Sequence, residues 1–407
     1  MQKKTESVKY INFKRGGHTM TRISRLILLI VINFILFFSF YTVKTESSNQ
    51  ASEYKSSLKG RYFHTAVWTG KEIIIWGGTS NGTRLNDGAI YDITTKKWQE
   101  INLIGAPNAR NNHCAIWTGK EMIIWGGQTD NGVTNTGAKY DPQKNRWQLI
   151  SNENAPTPRT VFTAIWTGSK MIVWGGLSSE AALNDGAIYD PENDTWQPIT
   201  KENAPIPRHW HSAVWDGKKM IIWGGNDGFT NKFLNDGAAY DPSTNTWKPI
   251  SIENAPESRW KHLALYLDKY GMLIWGGHNS KNALLNNGAI YDTEKDTWKP
   301  ISSKNAPSPR QMHTTQGIWT GSFVIIWGGY TAKGYSNDGG IYNPKTDKWL
   351  PMPTSSVPEA RDMHSTIWTG KELIILGGWN KDGSLANGFS YNPSTRKWLP
   401  LPNLTEK

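Results

Sequence analysis

Cysteine is almost absent from this chain. Cys114 is the only one in 407 residues, and a single thiol has no internal partner, so a disulfide-stapled scaffold is excluded. No cysteine stands directly after the apolar run near the N-terminus, which excludes a lipid-modified N-terminus of the bacterial lipoprotein kind. Helical periodicity is missing after residue 43. Phosphate-loop and His-Glu-x-x-His patterns are missing as well, which removes the commonest signatures of nucleotide and zinc-hydrolase chemistry. With 37% hydrophobic residues the chain is too apolar for a disordered tail.

The net charge of +11 does not mark a nucleic-acid surface. Residues 1–25 carry Lys3, Lys4, Lys9, Lys14, Arg15, Arg22 and Arg25 against Glu6, a net +6, which leaves +5 for all the rest. Half of the excess therefore lies in a short arm rather than on a folded face.

One long hydrophobic run is present. Leu26 to Val43 reads LILLIVINFILFFSFYTV without a charge, and as a helix it spans roughly 27 Å, close to the thickness of a bilayer core. Its leucines, isoleucines and phenylalanines outweigh the lone Asn33. A cleaved signal peptide starting at Met1 or Met20 is the competing reading. The run is longer than a usual signal core, and TVKTESSNQAS offers no clean small-x-small cleavage site, so an uncleaved anchor is favoured. The basic flank places the N-terminus in the cytoplasm and the chain after Lys44 outside, as a single-pass membrane protein, or a secreted one if the segment is cleaved. The organisation expected is a basic arm (1–25), an anchor (26–43), a polar linker (44–58), a β-domain (59–403) and a short tail (404–407).

Tryptophan is what the chain has in excess, with 22 copies. The excess reflects repetition. Gly-Gly pairs stand at Gly77-Gly78, Gly126-Gly127, Gly175-Gly176, Gly224-Gly225, Gly276-Gly277, Gly328-Gly329 and Gly377-Gly378, each after an apolar run. A Tyr-Asp or Tyr-Asn step follows at Tyr91, Tyr140, Tyr189, Tyr240, Tyr291, Tyr342 and Tyr391, then a Trp at Trp98, Trp147, Trp196, Trp247, Trp298, Trp349 and Trp398. Short β-branched and aromatic runs punctuated by Gly, Pro, Asn and Asp read as four strands per unit, here lettered a to d. A sheet of that size cannot bury both faces alone, so successive sheets must pack face to face.

The Gly-Gly pair, the later Tyr and the Trp beyond it resemble the kelch repeat, in seven copies from about Arg61 to Trp398. The resemblance implies an all-β fold, a seven-bladed kelch-type β-propeller preceded by one N-terminal transmembrane helix, with the ring closed by blade 1 against blade 7. It also implies a ligand-binding or interaction scaffold.

A side chain present in every repeat is most simply framework, and a binding site needs residues that break the pattern. Nineteen Trp recur by position, and Trp210, Trp260 and Trp379 are left over. Connectivity puts the d-a and b-c links on one side of the disc, and all three fall there. With Tyr330, His278, His209 and Lys261 they form an aromatic arc over blades 4 to 7, a candidate platform for a glycan or an envelope protein. Packing of loops is the alternative role for these rings. The same face carries a ring of arginines, Arg61, Arg110, Arg159, Arg208, Arg259, Arg310 and Arg361, of which Arg208 and Arg259 lie under the arc. Three residues after each stand His64, His113, His211, His262, His313 and His364, with Phe162 in blade 3. These arginines read either as a positive funnel for acidic ligands or, since every copy has one, as ties between blades through Asp87, Asp185, Asp236 and Asp338.

Kelch propellers include copper-radical sugar oxidases, but no Tyr precedes any of these His positions and Cys114 has no evident partner Tyr. Sialic-acid mutarotases also resemble the repeat and are the enzymatic alternative, although no paired carboxylates stand out at the mouth for acid-base work. No cofactor, no metal and no nucleic-acid partner is expected; the expected partners are a glycan or protein ligand and, through residues 26–43, a membrane.

Overall fold

The computed structural model describes residues 58–313 and 316–402. The expected anchor at 26–43 lies outside the described residues, and among these no helix is long and apolar enough to cross a membrane.

Seven four-stranded antiparallel sheets follow one another along the described chain, spanning 65–100, 114–149, 163–198, 212–249, 263–300, 317–351 and 365–400. Each is a simple meander in the order a-b-c-d, as in blade 1 with Thr65–Trp68, Glu72–Trp76, Gly88–Asp92 and Lys97–Glu100. Strand a of each sheet touches strand a of the next, and the seventh touches the first, so the a strands surround a common axis and the d strands lie outermost.

The burial pattern follows from this radial packing. Strand b is buried on both faces because a sheet lies on each side of it: Ile73, Ile74, Ile75 and Trp76 are all 1% exposed or less. Strand d keeps only its Trp inside, while its neighbours face solvent. The Trp before Gly-Gly of one blade meets the strand-d Trp of the next, as in Trp76 with Trp147, whose ring centres lie 5.5 Å apart. Removing one such ring costs about 3–5 kcal/mol.

The Gly-Gly pair is required where blades touch. At Gly77, with φ at +67°, an added Cβ would stand 2.8 Å from the His113 ring of blade 2. The second glycine, Gly78, donates its N–H to the Arg110 carbonyl of that blade at 2.9 Å. Closure uses the same contacts without strand exchange. Gly378 donates to the Arg61 carbonyl at 2.8 Å, and His64 packs against Gly377. Ile73, Ile75 and Tyr91 join Ile367, Ile374 and Leu376 in one core cluster across the seam.

The arginines act differently from the tie between blades that their spacing suggests. Each guanidinium stays in its own blade. Arg61 donates to Gly77 O at 3.0 Å and to Asp87 O at 3.1 Å, and pairs with the Asp87 carboxylate at 2.9 Å. Arg159 pairs in the same way with Asp185, and Arg310 with Asp338. The histidines make the crossing instead: the His113 ring meets Thr65 Oγ1 of blade 1 at 2.8 Å and lies edge-on to Trp76.

Candidate ligand site at the axial mouth

In every blade but the sixth the chain enters strand a through a sharp turn, and this brings Phe63, Asn112, Val161, Trp210 and Lys261 to the lining of the axial cavity. Phe63, Asn112, Val161, Trp210, Lys261 and Met363 hold positive φ between 47° and 59°, a left-handed conformation that costs non-glycine residues about 1–3 kcal/mol each. Backbone bonds link neighbours in this ring, from Asn112 N to Phe63 O at 3.3 Å and from Trp210 N to Val161 O at 3.3 Å. Below it strand a presents small residues, among them Ala66, Ala115, Ala164, Ala213 and Ala264. They leave a cavity of about 300 Å³ on one side of Trp210 and His313 and of about 280 Å³ on the other.

Blade 6 breaks the ring. Nine positions separate Arg310 from Trp319, where seven separate Arg61 from Trp68, and its inner strand shortens to Gly317–Trp319. Met312 has no left-handed turn. It is buried in the cluster of Trp275, the Trp that would otherwise carry the edge-on histidine of the next blade. His313, read from sequence as the blade 6 member of the histidine ring, is thereby released to the mouth. There its ring lies 6.1 Å from Trp210 and 6.3 Å from Phe63, edge-on to both.

At the mouth His313 joins two charged residues from different blades. Its Nδ1 stands 2.5 Å from Asp362 Oδ2, and its Nε2 stands 3.0 Å from Lys261 Nζ. Asp362 is wholly buried and also accepts from Gln316 Nε2 at 2.6 Å and from the Met363 N–H at 2.7 Å. Burial opposes its ionisation, but the bonds from His313, Gln316 and Met363 outweigh that and hold its carboxyl below the usual range. Lys261 is half-buried, 4.5 Å over the Trp260 ring and 5.2 Å from the Trp210 ring. Burial lowers its pKa, against the pull of Asp362. Opposite an ionised Asp362 and a charged Lys261, the hydrogen-bonding roles that fit are Nδ1–H donating to Asp362 and Nε2 accepting from Lys261.

The remaining sequence-predicted residues gather in two groups on this face. Trp260 Nε1 donates to His278 Nδ1 at 3.0 Å, and His209 and Phe233 stand against the same Trp260 ring. Across the mouth Trp379 packs edge-on to Tyr62 at 4.8 Å and pairs through its backbone with Asp362, while Tyr330 lies edge-on to Tyr335 at 5.3 Å. Lys261 touches the rings of both Trp210 and Trp260, and Tyr330 lies further out. Arg208 and Arg259 are 0% and 1% exposed, with guanidinium groups committed to Gly224 O and Asp236 in one case and to Gly276 O and Asn287 in the other. Neither offers a donor to the mouth.

Sequence reasoning missed Asp362, Phe63, Tyr62 and the displacement of His313. Two signals were available. Blade 6 alone has the longer Arg-to-Trp spacing, and Asp362 alone is acidic among the residues that follow the seven arginines.

Fold and repeat together define a β-propeller of kelch units. The family model of the KLHDC2/KLHL20/DRC7 Kelch-repeats domain matches residues 63–270 and 249–407, and the chain belongs to this family of kelch-repeat proteins. It is similar to Adagio protein 3 of Arabidopsis thaliana, 31% identical over 29% of this chain and 20% of that protein. It is also similar to the flagellar outer arm dynein alpha chain of Chlamydomonas reinhardtii, 34% identical over 23% of this chain and 2% of that protein. An F-box/kelch-repeat protein of Arabidopsis thaliana is 32% identical over 19% of this chain and 19% of its own length. The chain thus spans a fifth or less of these curated relatives.

Proposed function

We propose that this chain is a binding scaffold, held at the cell membrane by residues 26–43 with its propeller outside, which takes a glycan at the axial mouth. One observation carries the reading: of three part-exposed tryptophans that fall outside the repeat, Trp210 lines an open recess together with Phe63 and small side chains, Trp260 adjoins it through Lys261, and Trp379 packs on Tyr62 beside Phe63. Such rings offer flat apolar area with polar edges at little entropic cost, which suits the alternating apolar and hydroxyl faces of a sugar. An envelope protein is the alternative ligand.

A screen of the purified full-length chain against immobilised glycans tests this. Binding should be present, and should be lost in the Trp210→Ala, Trp260→Ala and Trp379→Ala triple variant while the thermal transition is retained. Unchanged binding in that variant removes the mouth from consideration. Capture of a protein but of no glycan would favour the envelope ligand.

The pairing of His313 with Asp362 favours a second reading, a sugar-modifying enzyme of the mutarotase kind, because a carboxylate-supported imidazole is a common general base. As built, however, the lone pair on Nε2 is taken by Lys261. The binding reading therefore stands ahead, and turnover of a free sugar that is lost in His313→Gln would reverse the order.

A further inference from the structure

We infer that the ligand of the axial mouth is an acidic saccharide, whose carboxylate displaces the Lys261 to His313 hydrogen bond and binds together with one proton taken up on His313. This deepens the proposed glycan-binding reading and rests on it.

Among the described residues that line the cavity, Lys261 is the one lysine or arginine and there is no aspartate or glutamate. Asp362 is sealed beneath His313, and neither half of the cavity is lined by a carboxylate. Lys261 has three N–H donors, of which His313 takes one. Trp210 and Trp260 fix the position of the ammonium, so a sugar ring stacked on either tryptophan brings a carboxylate within reach of it. Such an oxygen would also face Nε2 of His313, whose lone pair repels it while the imidazole is neutral. A proton on Nε2 turns that acceptor into a donor, and the opposite nitrogen already faces the ionised Asp362 at 2.5 Å, which stabilises the imidazolium. Binding of the anion and binding of the proton are thereby linked, each favouring the other.

The other titratable groups nearby do not supply this response. His64, His113, His211 and His364 line the channel below, and burial holds all four neutral, His64 and His364 down to about 3. His262 borders the second half of the cavity and is also lowered by burial to about 3. His209 and His278 flank Trp260 on the rim and are lowered by burial too. Tyr335, which faces Asp362 and Tyr62, is raised by burial away from the neutral range. Lys261 remains the donor to the ligand.

Calorimetric titration of D-glucuronate, with D-glucose as its neutral counterpart, into the purified full-length chain tests the inference. Glucuronate should bind more tightly than glucose. Its affinity should rise as the pH is lowered, because the complex holds one proton more than the free components. The heat of binding should vary between buffers of different ionisation enthalpy, reporting uptake of one proton per ligand. His313→Gln should abolish both the pH dependence and the proton uptake, and Lys261→Met should abolish the preference for glucuronate over glucose. Equal affinity for the two sugars, or proton uptake that persists in His313→Gln, overturns the inference. Binding of neutral sugars only overturns it and leaves the glycan reading standing. A folded wild-type chain that binds no saccharide at any pH overturns both.

Discussion

At the scale of single residues, recurrence separates framework from site. The arginine ring shows how. Seven charged side chains on one face suggest a funnel for acidic ligands, yet each is 1% exposed or less and spends its donors on carbonyls of its own blade. Arg159 donates to Thr157 O, Gly175 O and Asp185 O and pairs with the Asp185 carboxylate at 2.6 Å. Arg159→Met leaves those acceptors and a half-buried carboxylate without a partner. It should lower unfolding stability by about 3–5 kcal/mol in urea. A loss below about 1 kcal/mol would show that the guanidinium is dispensable to the blade.

At the scale of elements, neighbouring blades are stapled through the c-d turn, and the staple changes where the chain cannot support it. Asn145, in a left-handed turn, accepts from its own Tyr140 hydroxyl at 2.7 Å and from the Asn102 N–H of the preceding linker at 2.8 Å. Asp194, Asn245, Asp296 and Asp347 do the same toward Ser151, Thr200, Ser251 and Ser302. In the last two linkers the donor position is Pro353 or Pro402, which has no N–H. There the turn residue is Arg396 or Lys96, and Arg396 donates to Pro351 O at 2.8 Å. Asn145→Ala should therefore cost about 1–2 kcal/mol, and Lys96→Ala should stay within about 0.5 kcal/mol. Equal shifts in urea denaturation would mean that the staple carries no stability. The strands themselves were legible in the sequence, because the Gly-Gly, Tyr and Trp steps recur in register. The partner of each turn residue was not, because it lies one blade away.

At the scale of the whole molecule, the ring buries imidazoles at its blade junctions, and acid should open it. His64, His262 and His364 are lowered by burial from 6.5 to about 3. Unfolding raises them to their ordinary value, so between those limits the unfolded chain holds more protons than the folded one. Their contribution to stability is complete above pH 6.5 and declines as pH falls toward about 3. The denaturation midpoint should be level above neutrality and drop steadily below about pH 6. A midpoint independent of pH across that span would contradict neutral, sealed histidines at the junctions.

The sequence alone determined the repeat, its strands and the side of the disc on which the unmatched tryptophans lie. All of these depend on local period and on the alternation of links at the two ends of a meander. It did not determine that Arg208 and Arg259 turn inward, or that His313, Asp362 and Lys261 meet. Those outcomes depend on distances between blades that are far apart in the chain. Two extra residues in one lead-in move a single ring out of the blade junction and onto the axis, and only the closed circle of sheets brings residues 261, 313 and 362 within hydrogen-bonding reach.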